Sequence, residues 1–301
     1  MGCSRSFLRY RILLNFKQMK KLSGILVLTL LSTSCERIIP FDPDQVDSVL
    51  VLYSDLNPNK PFKAHLSRSI GILDEGEPQR IGDALVWVED STGAVVDSLR
   101  PGVDADGFYY SPLKPVAGAA YTVKALWREL PLVSGTAKPM SVLGDFRMDS
   151  VGYSPGNGMF DSPHIIYKVR IDDDGVSGFY RLEFFEDLAD TLVQQIIFAG
   201  TDDPLVVQPV FGQDFRGAVE FDNALILGQQ RELLIRVYKW SLNSPTKMRV
   251  TKIDEATARY ERSLRSAQNS GGLFTQPVPI YSNVSGGIGL VGGQGFLWVR
   301  P

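Results

Sequence analysis

The sequence predicts an all-β protein built from two β-sandwich-type domains, with one short helix near its C-terminus. Apolar and polar side chains alternate with a period of two in one segment after another, and turn residues separate these segments roughly every 8 to 15 residues. One stretch, close to the C-terminus, has the spacing of an amphipathic helix. The alternation with a period of two is typical of antiparallel sheets that pack one face on a core.

Residues 46–140 carry the alternation that predicts the first sandwich. In "PFKAHLSRSI", Phe62, Ala64 and Leu66 share one face of a predicted strand. "ALVWVED" alternates in the same way, and "AYTVKALW" places four apolar side chains on one face, namely Tyr121, Val123, Ala125 and Trp127. No long helical pattern interrupts these segments, so we expect a single sandwich.

Residues 141–301 are predicted to form a second β-rich domain with a glycine-rich closing segment. The stretch "SGTAKPMSVLGD", residues 134–145, is interpreted as the joint between the two domains. Beyond it, "IIYKVRID", "FYRLEFFED" and "ELLIRVYKW" alternate as strands do.

A helix is predicted over residues 254–269, in "DEATARYERSLRSAQNSGG". Asp254 is positioned to cap the first turn, and Gly271 and Gly272 are expected to end the helix. An apolar stripe follows helical spacing, and we expect its members Tyr260 and Leu264 to pack inward. The polar side carries Arg259, Arg262 and Arg265. A solvated helix face is the favoured interpretation of these arginines, with an anion site as the alternative.

Residues 1–34 have the composition of a signal peptide. They contain six basic side chains and no acidic one. "MKKLSGILVLTLLSTSC" has a positively charged start, an apolar core and small residues before Cys35. The apolar run is about half of the roughly 20 residues that a membrane-spanning helix needs. The segment is therefore predicted to be a signal peptide that begins at Met19, with residues 1–18 lying upstream of the true start.

Cys35 is the predicted lipidation site. Small residues that lead into a Cys directly after an apolar core resemble the lipobox of bacterial lipoproteins, in which the Cys thiol receives a diacylglyceryl group. Ser32 occupies the position where an aliphatic residue is usual, and Leu31 stands one position earlier. We expect residues 35–45 to form a tether held on a lipid bilayer through acylated Cys35. The alternatives are a secreted protein with an incidental Cys and a chain myristoylated at Gly2 of "MGCSRS".

The charge balance excludes nucleic acid as a partner. Removing the six basic residues of the signal peptide leaves 25 basic and 34 acidic side chains, a net charge of about −9. Nucleic acids and anionic lipid surfaces are held mainly by Lys and Arg. Cys35 would then be the single Cys of the mature chain, so neither a disulfide nor a thiolate metal site is expected.

No catalytic, cofactor-binding or metal site is predicted. His65 and His164 are the chain's two histidines, and both are expected at the surface. The sequence lacks a G-x-S-x-G elbow. "DADG" (104–107) and "DDDG" (172–175) offer oxygen ligands for calcium but are better interpreted as Asp-Gly turns in hairpins. A glycan hydrolase needs two carboxylates at the right separation, and this alternative stays open.

The stretch "SNVSGGIGLVGG" contains Gly287, Gly289 and Gly292 in G-x-G-x-x-G spacing. A dinucleotide site also needs a following helix and an acidic residue about 20 positions later. After Gly292 the chain reads as a strand and then ends. We therefore predict a glycine-rich turn between two short closing strands.

The order of these motifs resembles domain-of-unknown-function family 4249, lipoproteins of the Bacteroidetes. The resemblance is carried by the lipobox, by "IGDALVWVEDSTGAVVDSL", "DGFYYS" and "GAAYTVKA", by the helix "ARYERSLRSAQ" and by the closing "PVPIYSNVSGGIG". The first domain separately resembles transthyretin-like or immunoglobulin-like sandwiches.

The resemblance implies a lipid-anchored protein of the outer membrane that assists a TonB-dependent receptor in nutrient uptake. Because the sequence shows no catalytic constellation, we expect this role to be non-enzymatic. The face of the membrane is left open, because Arg37 follows Glu36 where exported lipoproteins of this phylum often carry an acidic run.

Overall fold

A computed structural model describes residues 48–71, 76–103, 106–157, 162–187, 193–195, 198–206, 217–238, 244–269 and 278–301. The strands are β1 (Leu50–Leu56), β2 (Lys63–Arg68), β3 (Leu85–Glu89), β4 (Val95–Pro101), β5 (Phe108–Tyr110), β6 (Tyr121–Leu126), β7 (Val133–Ala137), β8 (Phe146–Ser154), β9 (His164–Asp172), β10 (Phe179–Asp187), β11 (Val193–Gln195), β12 (Phe198–Gly200), β13 (Ala218–Asp222), β14 (Gln230–Tyr238), β15 (Thr246–Ile253), β16 (Val284–Ser285) and β17 (Ile288–Val299). Helix α1 spans Glu255–Asn269, and a single turn of 3-10 helix spans Asn223–Leu225. The predicted all-β class with one helix near the C-terminus is confirmed.

The described strands form two sheets. The larger has the order β11-β10-β15-β17-β1-β2-β5-β4-β3-β6-β7-β16, and β13 also pairs with β10, beside β11. The smaller has the order β12-β14-β9-β8. Most neighbours are antiparallel, but β1 and β17 pair in parallel because the last strand returns beside the first.

The first hydrophobic cluster lies among β1–β7 and confirms the alternation predicted there. Phe62, Ala64 and Leu66 are all buried, and Lys63 on the opposite face is exposed. The four apolar side chains predicted to share a face of β6 and the residue after it are also buried, namely Tyr121, Val123, Ala125 and Trp127. The C-terminal segment adds Val284 and Val291 to this cluster.

The second cluster lies between the smaller sheet and the β10, β13, β15 end of the larger one. The smaller sheet contributes Val169 and Ile235, and the larger sheet contributes Leu182 and Val250, each fully buried. Tyr180 on β10 lies at the centre, where its ring meets those of Phe146 and Phe221. Two sheets that bury facing side chains in this way form a β-sandwich.

Strand β17 explains the glycine-rich closing segment. A Cβ at Gly287 would fall 2.3 Å from the Leu50 carbonyl oxygen, and one at Gly293 would fall 1.9 Å from that of Lys138. Backbone passes so close to this strand that a side chain has no room. Gly286 and Gly287 form the predicted turn, but the second closing strand is long, because Gly289 and Gly292 lie within β17.

Two polar side chains of the closing segment bind the backbone of β17. The Asn283 side chain accepts a hydrogen bond from Val291 N (2.9 Å) and donates one to Val291 O (2.7 Å). The Ser282 hydroxyl accepts a hydrogen bond from Gly289 N at 3.0 Å. Ser282 and Asn283, the "SN" before the glycines, thus supply hydrogen bonds to the backbone of β17. The glycine-rich segment is therefore a structural element of the fold.

Helix α1 begins where the sequence predicts. Asp254 accepts a hydrogen bond from Thr257 N (2.8 Å), which caps the helix, and another from Gly293 N (2.9 Å), which ties that cap to β17. The buried helix residues are Thr257 and Ala258. Tyr260 and Leu264, which were expected to pack inward, are half-buried, and the Tyr260 ring lies 6.4 Å from that of Tyr53 on β1.

The predicted joint between the domains lies within the described residues, whereas the predicted signal peptide and tether do not. Residues 134–137 of the predicted joint belong to β7, and residues 138–145 connect it to β8. The division at residue 140 stays a prediction. Residues 1–34, the tether 35–45 and the glycines predicted to end the helix lie outside the described residues. No helix within the described ranges is long and apolar enough to cross a membrane.

Candidate binding cavity

A cavity of about 750 Å³ lies between helix α1, strands β10 and β13 and the segments around Leu205 and Leu225. Its volume falls in the range of about 300–1,000 Å³ that is usual for small-molecule sites. One wall is charged and carried by β10, β13 and α1. The other wall is apolar.

The charged wall is a network of two arginines and two glutamates. Arg181 Nε donates to Glu220 Oε1 at 2.7 Å, and a second nitrogen of Arg181 pairs with Glu261. Arg265 pairs with Glu220 at 3.1 Å and with Glu261 at 3.8 Å. Burial alone would lower the pKa of Arg181, but the two carboxylates outweigh it and raise that pKa. The network therefore keeps Arg181 charged and holds α1 against the sheet.

The network rests on the register of the sheet. Arg181 lies opposite Glu220 in the pairing of β10 with β13, so their side chains share one face. Glu261 and Arg265 are one helical turn apart on α1 and face this pair. Arg265 is thus part of an ion-pair network, and the prediction of a solvated face is wrong for this residue.

Arg262 lines the cavity differently. Its guanidinium lies 4.7 Å from the centre of the Phe179 ring, and its Nε donates to the Ala258 carbonyl oxygen at 3.3 Å. Within the described part of the chain, no carboxylate lies within ion-pair distance of Arg262. Arg259, three residues before Arg262 on α1, pairs with Glu255 and does not line the cavity.

The apolar wall is formed by Leu205, Leu225, Ile253 and Ala258. Leu225 is 77% exposed, so its side chain is available to a ligand. Its position is fixed by the 3-10 turn, because the Asp222 side chain accepts a hydrogen bond from Ala224 N and caps that turn. Asp203 fixes Leu205 in the same way, through a hydrogen bond from Leu205 N.

The two histidines lie away from this cavity. His65 is half-buried on β2 against the Phe108 ring, at 4.6 Å between ring centres, and burial lowers its pKa. The expectation that His164 lies at the surface is wrong, because it is 5% exposed at the start of β9. Its ring packs 5.0 Å from that of Tyr238, and Nδ1 lies 2.9 Å from the Ser162 carbonyl oxygen.

The "DDDG" segment connects β9 and β10, which lie in different sheets, so the prediction of an Asp-Gly turn in a hairpin is wrong for it. The segment is part of a buried cluster. Asp173 accepts hydrogen bonds from Gly175 N and Gly228 N, from Tyr180 Oη and from Asn223 Nδ2. Burial would raise the pKa of Asp173, but these donors, Asn223 first among them, hold it below its ordinary value. No group of three metal-ligating side chains occurs among the described residues.

The predicted lipidation site, Cys35, lies outside the described residues and stays a prediction. Sequence reasoning missed the cavity, because its walls come from strands and a helix that are distant in the chain. The available signal was the pair Arg262 and Arg265, three residues apart on the polar side of a predicted helix, which the anion-site alternative noted.

The model of the family described as "Domain of unknown function (DUF4249)" matches residues 36–296. Among proteins of curated function, no relative matches the chain.

Proposed function

The chain belongs to the family described as Domain of unknown function (DUF4249), and on that premise we propose that it is a cell-envelope lipoprotein that binds a ligand without transforming it. It serves as an accessory component of a TonB-dependent uptake system of the outer membrane.

The main support for a binding role is the pairing of the charged side chains that line the cavity. Glu220 and Glu261 are each engaged by Arg181 and Arg265. Acid–base catalysis needs a side chain that can exchange a proton with the substrate, and carboxylates held between arginines are poorly suited to this. Arg262 presents a charge that a ligand can meet beside apolar surface.

These features favour one class of ligand. A small amphipathic molecule with a carboxylate or phosphate group would place its anionic end on Arg262. Its apolar body would cover Leu225 and the neighbouring apolar wall. Pairing with the anion and burial of the apolar body would act together, as is usual in small-molecule sites.

The anchor rests on the sequence. Cys35 follows a signal peptide that resembles those of bacterial lipoproteins, and two acyl chains give stable membrane attachment whereas one gives marginal binding. The net charge of about −9 of the chain without its signal peptide argues against attachment through anionic lipid. The receptor partnership follows from the family resemblance.

Co-purification tests the proposed role. The tagged protein is extracted from membranes of its native host with detergent, and we expect an outer-membrane receptor in stoichiometric amount. The runner-up is a glycan hydrolase that uses a pair of carboxylates such as Glu220 and Glu261, which line the cavity together with Asp222. A monomer that cleaves members of a polysaccharide panel would replace the proposal with this alternative.

A further inference from the structure

A lysine and two aspartates are buried together beside the second core, away from the charged wall of the cavity. The Lys252 side chain is 0% exposed, that of Asp173 is 0% exposed and that of Asp174 is 6% exposed. Lys252 Nζ contacts Asp174 Oδ1 and lies 3.9 Å from Asp173 Oδ1. The same nitrogen lies 4.9 Å from the centre of the Tyr180 ring.

The two aspartates differ in how they are held. Asp173 has four hydrogen-bond donors, as described above. Asp174 Oδ1 accepts one further hydrogen bond, from Val176 N at 3.0 Å. Asp174 Oδ2 is buried and has no hydrogen-bond partner among the described residues. A buried carboxylate oxygen without a donor is costly, and a buried ion pair offsets its loss of hydration only when every polar atom is satisfied.

We infer that this cluster is a modification site, at which Lys252 and Asp174 condense into an intramolecular isopeptide bond. A proton first passes from the Lys252 ammonium to the Asp174 carboxylate, which gives an amine and a carboxylic acid. The amine lone pair attacks Asp174 Cγ and forms the C–N bond. Asp173 accepts one of the two protons left on Nζ and passes it to the departing hydroxyl, which leaves as water, while the other proton stays on Nζ as the amide N–H. The reaction needs no oxidant and no second substrate.

The burial favours both the formation and the persistence of the bond. Groups that the fold holds in contact react with effective molarities of about 10⁵–10⁸ M. The amide product is neutral, so the cost of burying two opposite charges disappears. Water is excluded from the cluster, which slows hydrolysis of the product.

The position of the bond indicates how it would stabilise the folded protein. Asp174 lies in the turn between β9 and β10, and Lys252 lies near the end of β15, directly before α1. The bond would close a loop of many residues, and cross-links stabilise folded proteins mainly by restricting the unfolded chain. Both cysteines precede residue 36, so no disulfide within residues 36–301 serves this purpose. This inference does not depend on the proposed ligand or anchor.

Peptide mass mapping of the full-length wild-type protein tests the inference. After tryptic digestion we expect one branched peptide, in which the segment 171–181 is joined to a segment that contains an uncleaved Lys252. Its mass should be the sum of the two segments less one water molecule. Recovery of the unmodified segment 171–181 together with the peptides 250–252 and 253–259, which form only when trypsin cleaves after a free Lys252, and without any branched peptide, would overturn the inference, whatever any variant does.

Two variants locate the bond. Lys252→Met removes the nucleophile and should abolish the branched peptide, whereas the matched Lys247→Met, on the same strand, should keep it. Asp173→Asn retains the shape of the proton acceptor but not its charge, so we expect a smaller linked fraction at a fixed time after synthesis. An unchanged linked fraction in Asp173→Asn would overturn the role given to Asp173.

Discussion

Gly289 lies opposite Leu52 where the last strand of the protein pairs in parallel with the first, and a Cβ at Gly289 would fall 1.9 Å from the Leu52 carbonyl oxygen. Its φ of +131° is a conformation that residues with a side chain rarely adopt. Both facts make glycine obligatory at this position, and they make the glycine-rich segment a requirement of the fold.

Gly289→Ala should therefore destabilise the protein by at least about 2 kcal/mol, because it adds backbone strain to a clash with the neighbouring strand. Chemical denaturation followed by tryptophan fluorescence measures the change. Gly152→Ala is the matched control. A Cβ there would meet only Ile166 at 3.6 Å, an ordinary contact, and we expect a change within about 1 kcal/mol. Equal effects of the two substitutions would contradict the structural role of Gly289.

The sequence predicted the strands well, because the burial of alternate side chains in β2 and β6 is a local property of the chain. The helix start was also predictable, since Asp254 caps α1 through a residue three positions away. The pairing of β1 with β17 was not predictable in this way. It joins residues 51–56 to residues 288–293, and no local signal specifies a pairing so distant in the chain.

The same distinction applies to the candidate site. The spacing of Arg262 and Arg265 predicts that they share one face of the helix. Whether that face meets the cavity or the solvent depends on how α1 packs on the sheet, which the spacing does not determine. His164 shows the same limit. His164 follows a proline at the start of a strand, a position that suggests exposure to solvent. The ring of Tyr238, on the neighbouring strand β14 but far away in the sequence, covers it. Side chains from elsewhere in the chain decide such cases.

Asp55 should contribute to the pH dependence of the free energy of unfolding. Burial raises the pKa of Asp55 above its ordinary value of 3.8, although a hydrogen bond from Gln294 opposes the shift. The folded state then binds this proton more tightly than the unfolded state does, so the contribution of Asp55 to stability falls as pH rises from 3.8 through the folded-state pKa. Asp55→Asn removes this loss and keeps an oxygen for Gln294.

We therefore expect the free energy of unfolding of Asp55→Asn, relative to wild type, to increase with pH across that window. Urea denaturation at a series of pH values gives the difference. Asp90 supplies the opposite sign, because hydrogen bonds from Thr92 lower its pKa. Asp90→Asn should lose stability relative to wild type as pH rises. A flat difference for Asp55→Asn would contradict the raised pKa of Asp55 in the folded state.

Arg262 should decide the affinity of the cavity for amphipathic anions. Naphthoate and its neutral analogue naphthamide have similar shape and differ in charge, so their affinities isolate the anion. We expect naphthoate to bind the wild-type protein more tightly, and Arg262→Gln to remove that preference with a loss of about 10-fold in affinity, corresponding to about 1.4 kcal/mol. Isothermal titration calorimetry provides the measurement.

The matched control for this prediction is Arg259→Gln. Arg259 lies on the same helix and has the same charge, but it pairs with Glu255 outside the cavity. Its substitution should leave the preference for naphthoate unchanged. Equal losses in both variants would indicate a general effect of charge, and would count against the cavity as the binding site.

Cys35 should determine both the processing and the location of the protein. If its thiol carries a diacylglyceryl group, each buried CH₂ adds about 0.8 kcal/mol to membrane affinity, and two long chains make dissociation negligible. Cys35→Ser removes the thiol that accepts the lipid, and the peptidase that requires lipidated Cys should then leave the signal peptide in place. We expect a larger, unlipidated precursor, whereas Cys3→Ser should change nothing because residues 1–18 precede the predicted start. Intact mass of the membrane-extracted protein is the measurement, and a mature N-terminus other than Cys35, or a Cys35 without an acyl increment, would refute the lipoprotein assignment.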